Sequence, residues 1–235
     1  LMNICDKIYV INCKNSVKRK EMMEKQLNDL KIENYSIMEA CEKKDIDIER
    51  LKDEKKIIPN HISIKLTHLE VVLDESHKKC YDDIINNNYK NSLILEDDVL
   101  FTMENTNKFF ESLKTLPSDY DMAYLGNIPK KHVFEKHCFN ISNQNFWGLK
   151  GGFTGAHMYS VSINGAKNII KNYYPYRGGA DGILDNMIQN NVIKGYLCKR
   201  QYGINGSLGI PGNMMEKLRK YGSEELFKSE IQGVK

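Results

Sequence analysis

The chain has 235 residues, 41% hydrophobic and 28% charged, with 34 Lys plus Arg against 31 Asp plus Glu for a net charge of +3. That composition buries a sizeable core in a single domain spanning residues 1–235; it excludes disordered and membrane-spanning classes, and the balanced charge argues against nucleic acid as a partner. Cys5, Cys13, Cys41, Cys80, Cys138 and Cys198 form no C-x-x-C pair and have no His at zinc-ligand spacing, so they read as reduced thiols. With no basic segment followed by a long apolar run at the start, the sequence predicts a cytoplasmic protein.

Residues 7–12, K-I-Y-V-I-N, are β-branched and aromatic and predict a first strand. A helix follows, with Ser16 as its cap and Met23, Leu27 and Leu30 on one face. Residues 35–40 predict a second strand, and 41–56 a lysine-rich polar excursion holding a short helix. Pro59 and Ser63 punctuate the entry to a helix striped by Leu66, Leu69, Val72, Leu73 and Ser76. Beyond the acidic strand at 92–101, Phe109, Phe110, Leu113 and Leu116 mark a helix closed by Pro117, and 121–126 read as a strand.

Residues 129–152 lose this pattern and predict an irregular loop or hairpin holding Trp147, whose leading reading is a packed core residue ahead of a platform for a sugar or a peptide. Strand character returns over 153–161, and Ser162 caps a helix carrying Ala166, Ile169 and Ile170. Gly178 and Gly179 introduce Asp181 ahead of a helix over 182–189. Residues 192–197 predict a late strand, and Pro211 precedes a final amphipathic helix. Strands alternating with helices are the signature of an α/β fold.

Residues 92–101, S-L-I-L-E-D-D-V-L-F, are the hardest to explain as packing. An apolar strand stops at Glu96, Asp97 and Asp98, which places three carboxylates at a carboxyl edge, where open α/β sheets bind ligands. Two readings compete: a solvated turn after a strand, or a site in which at least two of the acids share a hard divalent cation.

The ordered series I-Y-V-I-N-C with Arg19, L-T-H at 66–68, L-I-L-E-D-D-V, D-M-A-Y-L-G, T-G-A-H-M-Y with Gly165 and Ala166, and then Asp181 resembles glycosyltransferase family 25. The family includes bacterial lipooligosaccharide galactosyltransferases and animal collagen hydroxylysine galactosyltransferases. Cys13, Thr67 and the glycine-rich segment before Asp181 depart from its pattern and bear on the acceptor. The resemblance covers about 8–197 and implies a GT-A-like nucleotide-sugar-binding fold, a mixed, mostly parallel central sheet flanked by helices. It implies inverting transfer of galactose or glucose from a UDP-sugar, with Mn2+ or Mg2+, to a hydroxyl of a glycan or of hydroxylysine in a protein acceptor.

Carried over residue by residue, the resemblance assigns Asp98 as direct metal ligand and Glu96 as metal or nucleotide contact, with Asp97 beside them. Asn12, Arg19, Ala40, Thr67 and His68 fall on the nucleotide side, and Thr154, Gly155 and His157 on the donor-sugar edge. Gln201 and Ser207 lie in a late loop over the diphosphate. Asp181 is the general base, with Asp185 and Asp121 as fallbacks; each of these positions also has a structural reading, Asp181 as a helix N-cap above all. Two other functions stay open: a silent sugar-nucleotide or glycan-binding module of the same fold, and a metal-dependent phosphohydrolase.

Overall fold

A computed structural model describes residues 5–57, 68–103, 105–126, 131–176 and 178–208. Thr67, the helix entry at 58–66 and the helix expected after Pro211 lie outside them. The first strand, β1 (Lys7–Asn12), falls where expected, and its residues from Ile8 onward are all buried. Helix α1 (Val17–Asp29) turns Met22, Met23, Gln26 and Leu27 inward. Ser16 occupies its N-cap position, yet with φ −85° and ψ 52° it leaves the extended region and makes no side-chain cap.

Next come β2 (Tyr35–Glu39) and the short α2 (Ile48–Asp53), whose first turn is capped by Asp47 accepting from the Arg50 N–H. Helix α3 (His68–Asn86) buries Val71, Asp74, Ser76, His77, Cys80, Tyr81 and Ile84. Leu69, Val72 and Leu73, expected to form the core stripe, are only half-buried. A one-residue error in phase turns a helix face by about 100°. Here polar Asp74 and His77 occupy the face that a hydrophobic count assigns to leucines.

Helix α3 leads into β3 (Asn91–Glu96), in which Leu93, Ile94 and Leu95 are at most 1% exposed. After the turn at Asp97 and Asp98, β4 (Val99–Phe101), α4 (Asn107–Lys114) and β5 (Met122–Tyr124) follow. The region read as loop or hairpin holds α5 (Lys131–His137) and a hairpin of β6 (Cys138–Phe139) and β7 (Phe146–Leu149). Strand β8 (Met158–Ser162) starts at Met158 rather than at 153, because two carboxylates tie the preceding residues into a loop. The chain continues through α6 (Ile163–Lys171), α7 (Ala180–Gln189), β9 (Gly195–Cys198) and β10 (Gly203–Asn205).

The main sheet has the order β2-β1-β3-β8-β5-β9-β7-β6, and β4 pairs apart from it with β10. β1 is parallel to β2 and β3, and β5 to β9; β8 and β7 run against their neighbours, so the other strands share one direction. This is the expected mixed, mostly parallel α/β sheet. One core, with Tyr9, Ile94, Tyr81 and Tyr159, lies on the α3 face, and the other, with Val10, Leu95, Met23 and Phe109, lies under α1 and α4. All six cysteines are free thiols.

Close packing between α6 and β5 depends on Gly165. A Cβ there would lie 2.1 Å from the Asp121 carbonyl oxygen, a backbone atom that cannot step aside. Gly165→Ala gains helix propensity but is expected to lose about 1–3 kcal/mol net through this overlap, read as a lower urea midpoint with unchanged slope.

Candidate active site at the carboxyl edge of the sheet

Sheet direction gathers the site. Asn12 ends β1, Glu96 ends β3 in register beside Ile11, and antiparallel β8 begins there because Met158 pairs with Leu95. The loop at 153–157 and the acid turn therefore meet at one carboxyl edge, where ligands bind in open α/β sheets. The Glu96 N–H donates to the His157 carbonyl at 2.9 Å and locks the two together.

The three acids have different surroundings. Asp97 is buried and accepts from Asn12 Nδ2 at 2.7 Å and from Arg19 Nη1 at 3.1 Å. Burial raises its carboxyl, opposed by the Arg19 charge. It ties the acid turn to the β1–α1 connection, so Asn12 and Arg19, expected to face the nucleotide, each have a partner inside the protein.

Asp98 is 5% exposed, and its Oδ1 has no hydrogen-bond partner. Burial, then the neighbouring Glu96 charge, pushes its carboxyl above the ordinary range. Its carbonyl accepts from the Gly206 N–H at 2.9 Å, which pins the turn to the chain after β10. Burial likewise drives Glu96 up to about 7, although a fifth of its side chain, 20%, still meets solvent.

Asp181 stands in the first turn of α7 behind an N-cap at Gly179, which corrects the cap reading for Asp181 itself. Its Oδ1 accepts from the Gly155 N–H at 2.7 Å and the Ala156 N–H at 2.6 Å. Gly155 has φ +133°, a backbone shape that favours glycine and brings both N–H groups onto one oxygen. One turn later Asp185 accepts from the Phe153 N–H through Oδ1 and from Gln189 through Oδ2. Asp121 is engaged by Asn168 and the Lys194 N–H. Both fallback bases thus have their oxygens taken up by structure.

The remaining expected residues take varied places. His157 Nε2 lies 3.0 Å from the Gly126 carbonyl, which Gln201 Nε2 also reaches at 3.0 Å. Ala40 is buried in the core beside Ile11, and its N–H donates to the Asn12 carbonyl. His68 begins α3 with Nε2 buried and unpartnered, and the Ser207 hydroxyl lies beside the Asp98 carboxyl, which it lowers against the effect of burial. Thr154 lies in the loop before β8. Trp147 sits on β7, far from β3 in strand order, edge-on to Phe134 at 4.6 Å, which makes it a packing residue.

Sequence reasoning missed the polar face of α3. Asp74, His77 and Tyr81 recur at three- and four-residue spacing, a helical signal hidden by the neighbouring leucines. Asp74 is 0% exposed with neither carboxyl oxygen hydrogen-bonded. Burial first, then the charges of Glu70, Glu75 and Asp181, push it up to about 9. Between pH 4 and 9 the folded state therefore keeps a proton that the unfolded chain releases, and stability falls as pH rises across that window. Asp74→Asn removes the penalty: its melting temperature is expected to match wild type at pH 4 and to exceed it at pH 8 by the equivalent of about 1–3 kcal/mol.

Among the described residues no three His, Cys, Asp or Glu side chains converge as a metal-holding group. A cation held mainly by diphosphate oxygens needs only one or two protein carboxylates, and the unpartnered Oδ1 of Asp98 fits that demand. No helix among the described residues is long and apolar enough to cross a membrane.

The sheet order and the buried acid turn at its carboxyl edge define an α/β domain consistent with a GT-A-like glycosyltransferase fold. The chain belongs to glycosyltransferase family 25 (LPS biosynthesis protein), whose family model matches residues 5–187, a span that includes every residue from Asn12 to Asp181 discussed above. It is 26% identical over 182 residues to procollagen galactosyltransferase 1-A of Xenopus laevis and 24% over 179 residues to procollagen galactosyltransferase 2 of Mus musculus. Each alignment covers 70% of this chain, which spans only 28% and 27% of the lengths of those relatives. The crystal structure of A197 from STIV aligns with 81% of this chain and 80% of that chain at a TM-score of 0.41 and 12% identity, too loose a likeness to carry an argument.

Proposed function

We propose that this chain is a metal-dependent, inverting hexosyltransferase that moves galactose, or glucose, from a UDP-sugar to a hydroxyl of a glycan or of hydroxylysine in a collagen-like acceptor. Family membership supports the transferase class, and the procollagen galactosyltransferases among its relatives favour galactose and a procollagen-type acceptor. The observation that carries the reading is Asp98: a buried carboxylate with an orphaned oxygen at a carboxyl edge costs stability unless a ligand completes it.

In this reading Asp98 would hold Mn2+ or Mg2+, and Glu96 would contact the cation or the nucleotide. The cation, when bound, draws off the negative charge that builds on the departing diphosphate. Asp181 spends Oδ1 on the two backbone N–H groups and offers Oδ2 to the acceptor hydroxyl, whose proton it takes as the sugar is attacked. The family resemblance carries over Asn12, Arg19, Thr67, His68, Thr154 and Gly155 as donor contacts.

The test is transfer by purified protein from UDP-galactose and UDP-glucose with Mn2+, offered to a hydroxylysine peptide and to a lactose-terminated glycan, with and without chelator. UDP release that depends on metal and acceptor is the expected result. Donor binding without turnover on either acceptor would return the chain to a non-catalytic sugar-nucleotide module.

A further inference from the structure

Behind Glu96 runs a hydrogen-bonded chain of fully enclosed side chains that belongs to no part of the acid turn. His77 on α3 is 0% exposed; its Nδ1 lies 2.9 Å from the Tyr159 hydroxyl, which lies 2.6 Å from the Tyr81 hydroxyl. The other ring nitrogen, Nε2, faces Glu96 Oε1 at 3.4 Å. Tyr159 is 0% and Tyr81 1% exposed, so these groups satisfy one another.

Proton counting sets the direction. In its ionised form, the form that can serve a cation, Glu96 only accepts, so Nε2 then carries the ring proton and Nδ1 is bare. Bare Nδ1 takes the Tyr159 proton, and Tyr159 in turn accepts from Tyr81. Every hydroxyl then donates once, and the neutral ring satisfies both of its neighbours. The last link, at 3.4 Å, is long for an N–H···O bond.

We propose that His77 is a positioning residue for the transfer: held as the Nε2–H tautomer by Tyr159 and Tyr81, it fixes Oε1 of Glu96 and leaves Oε2 for the donor. The proposal rests on the transferase reading above. Its geometry links helix α3 to the end of β3 through β8, so one side chain couples three elements to a single carboxylate. Outer partners of this kind typically change affinity or activity by about 10–100-fold when removed.

The experiment has two arms. Long-range proton–nitrogen correlation spectra of histidine-labelled protein at about pH 8.5 are expected to show His77 as the neutral Nε2–H tautomer in wild type, and to lose that preference in Tyr159→Phe. Calorimetry with UDP-galactose and Mn2+ is expected to show donor affinity about tenfold weaker in His77→Phe and largely regained in His77→Gln, whose amide can still donate toward Glu96. Melting temperatures of the two variants separate this from a folding defect, since a structural role alone would weaken both alike. A dominant Nδ1–H tautomer, or wild-type donor affinity in His77→Phe, overturns the proposal. Should wild type bind no UDP-sugar, the function proposed above falls, and the tautomer measurement alone decides the role of His77.

Discussion

Asp98→Ala is expected to cut sugar transfer by about 10²–10⁴-fold while leaving the fold intact or slightly firmer. The catalytic loss follows from the proposed cation: stabilising charge on the departing diphosphate is worth several kcal/mol, and each 1.36 kcal/mol is about a factor of ten in rate. The stability side follows from geometry alone, because Oδ1 is buried without a partner and removing an uncompensated acid relieves a desolvation cost of about 1–3 kcal/mol. Asp97→Ala provides the contrast. It takes one partner from the Arg19 guanidinium and one from the Asn12 amide, which keeps its bond to the Ser16 carbonyl, and a loss of about 1–3 kcal/mol is expected. Steady-state UDP release and urea melts on the two variants separate a ligand-facing acid from an internal one. Full activity in Asp98→Ala would remove the cation assignment.

Asp181→Asn is expected to lower kcat by about 10²–10⁴-fold with donor affinity within about threefold of wild type. The amide oxygen of Asn can still accept from the Gly155 and Ala156 N–H groups, so the loop before β8 keeps its shape while the acceptor loses its base. Asp181→Ala gives up both bonds, leaves two N–H groups unpaired, and is expected to impair donor binding as well. The comparison of kcat with donor Kd across the two substitutions decides whether Asp181 takes a proton or merely staples a loop. A turnover in Asp181→Asn close to wild type would assign the base elsewhere.

Several elements were legible because their cause is local. Strand β1 was readable from a run of β-branched and aromatic residues, and the Ser162 cap from a hydroxyl placed ahead of an amphipathic run, with Oγ accepting from the Gly165 N–H at 3.0 Å. The start of β8 and the face of α3 were misread because their cause is distant. Residues 153–157 have strand-like composition, yet Asp181 and Asp185, more than twenty residues on, compete for their N–H groups. On α3, Asp74 and His77 are carried inward by the packing of neighbouring elements, against their own preference for water.

The α/β class, the acid-ended strand and the ordered motifs that mark family 25 are written in the order of residues along the chain, because strand and helix periods and motif order are properties of neighbouring residues. The different surroundings of the three acids arise from the fold. Three consecutive carboxylates are equivalent on paper, but pairing β3 with β1 brings Asn12 and Arg19 to Asp97, leaves Asp98 Oδ1 orphaned, and sets His77 behind Glu96. Those distinctions rest on hydrogen bonds between residues far apart in the chain, and in a buried site it is the presence or absence of such a partner that separates a structural acid from one that awaits a ligand.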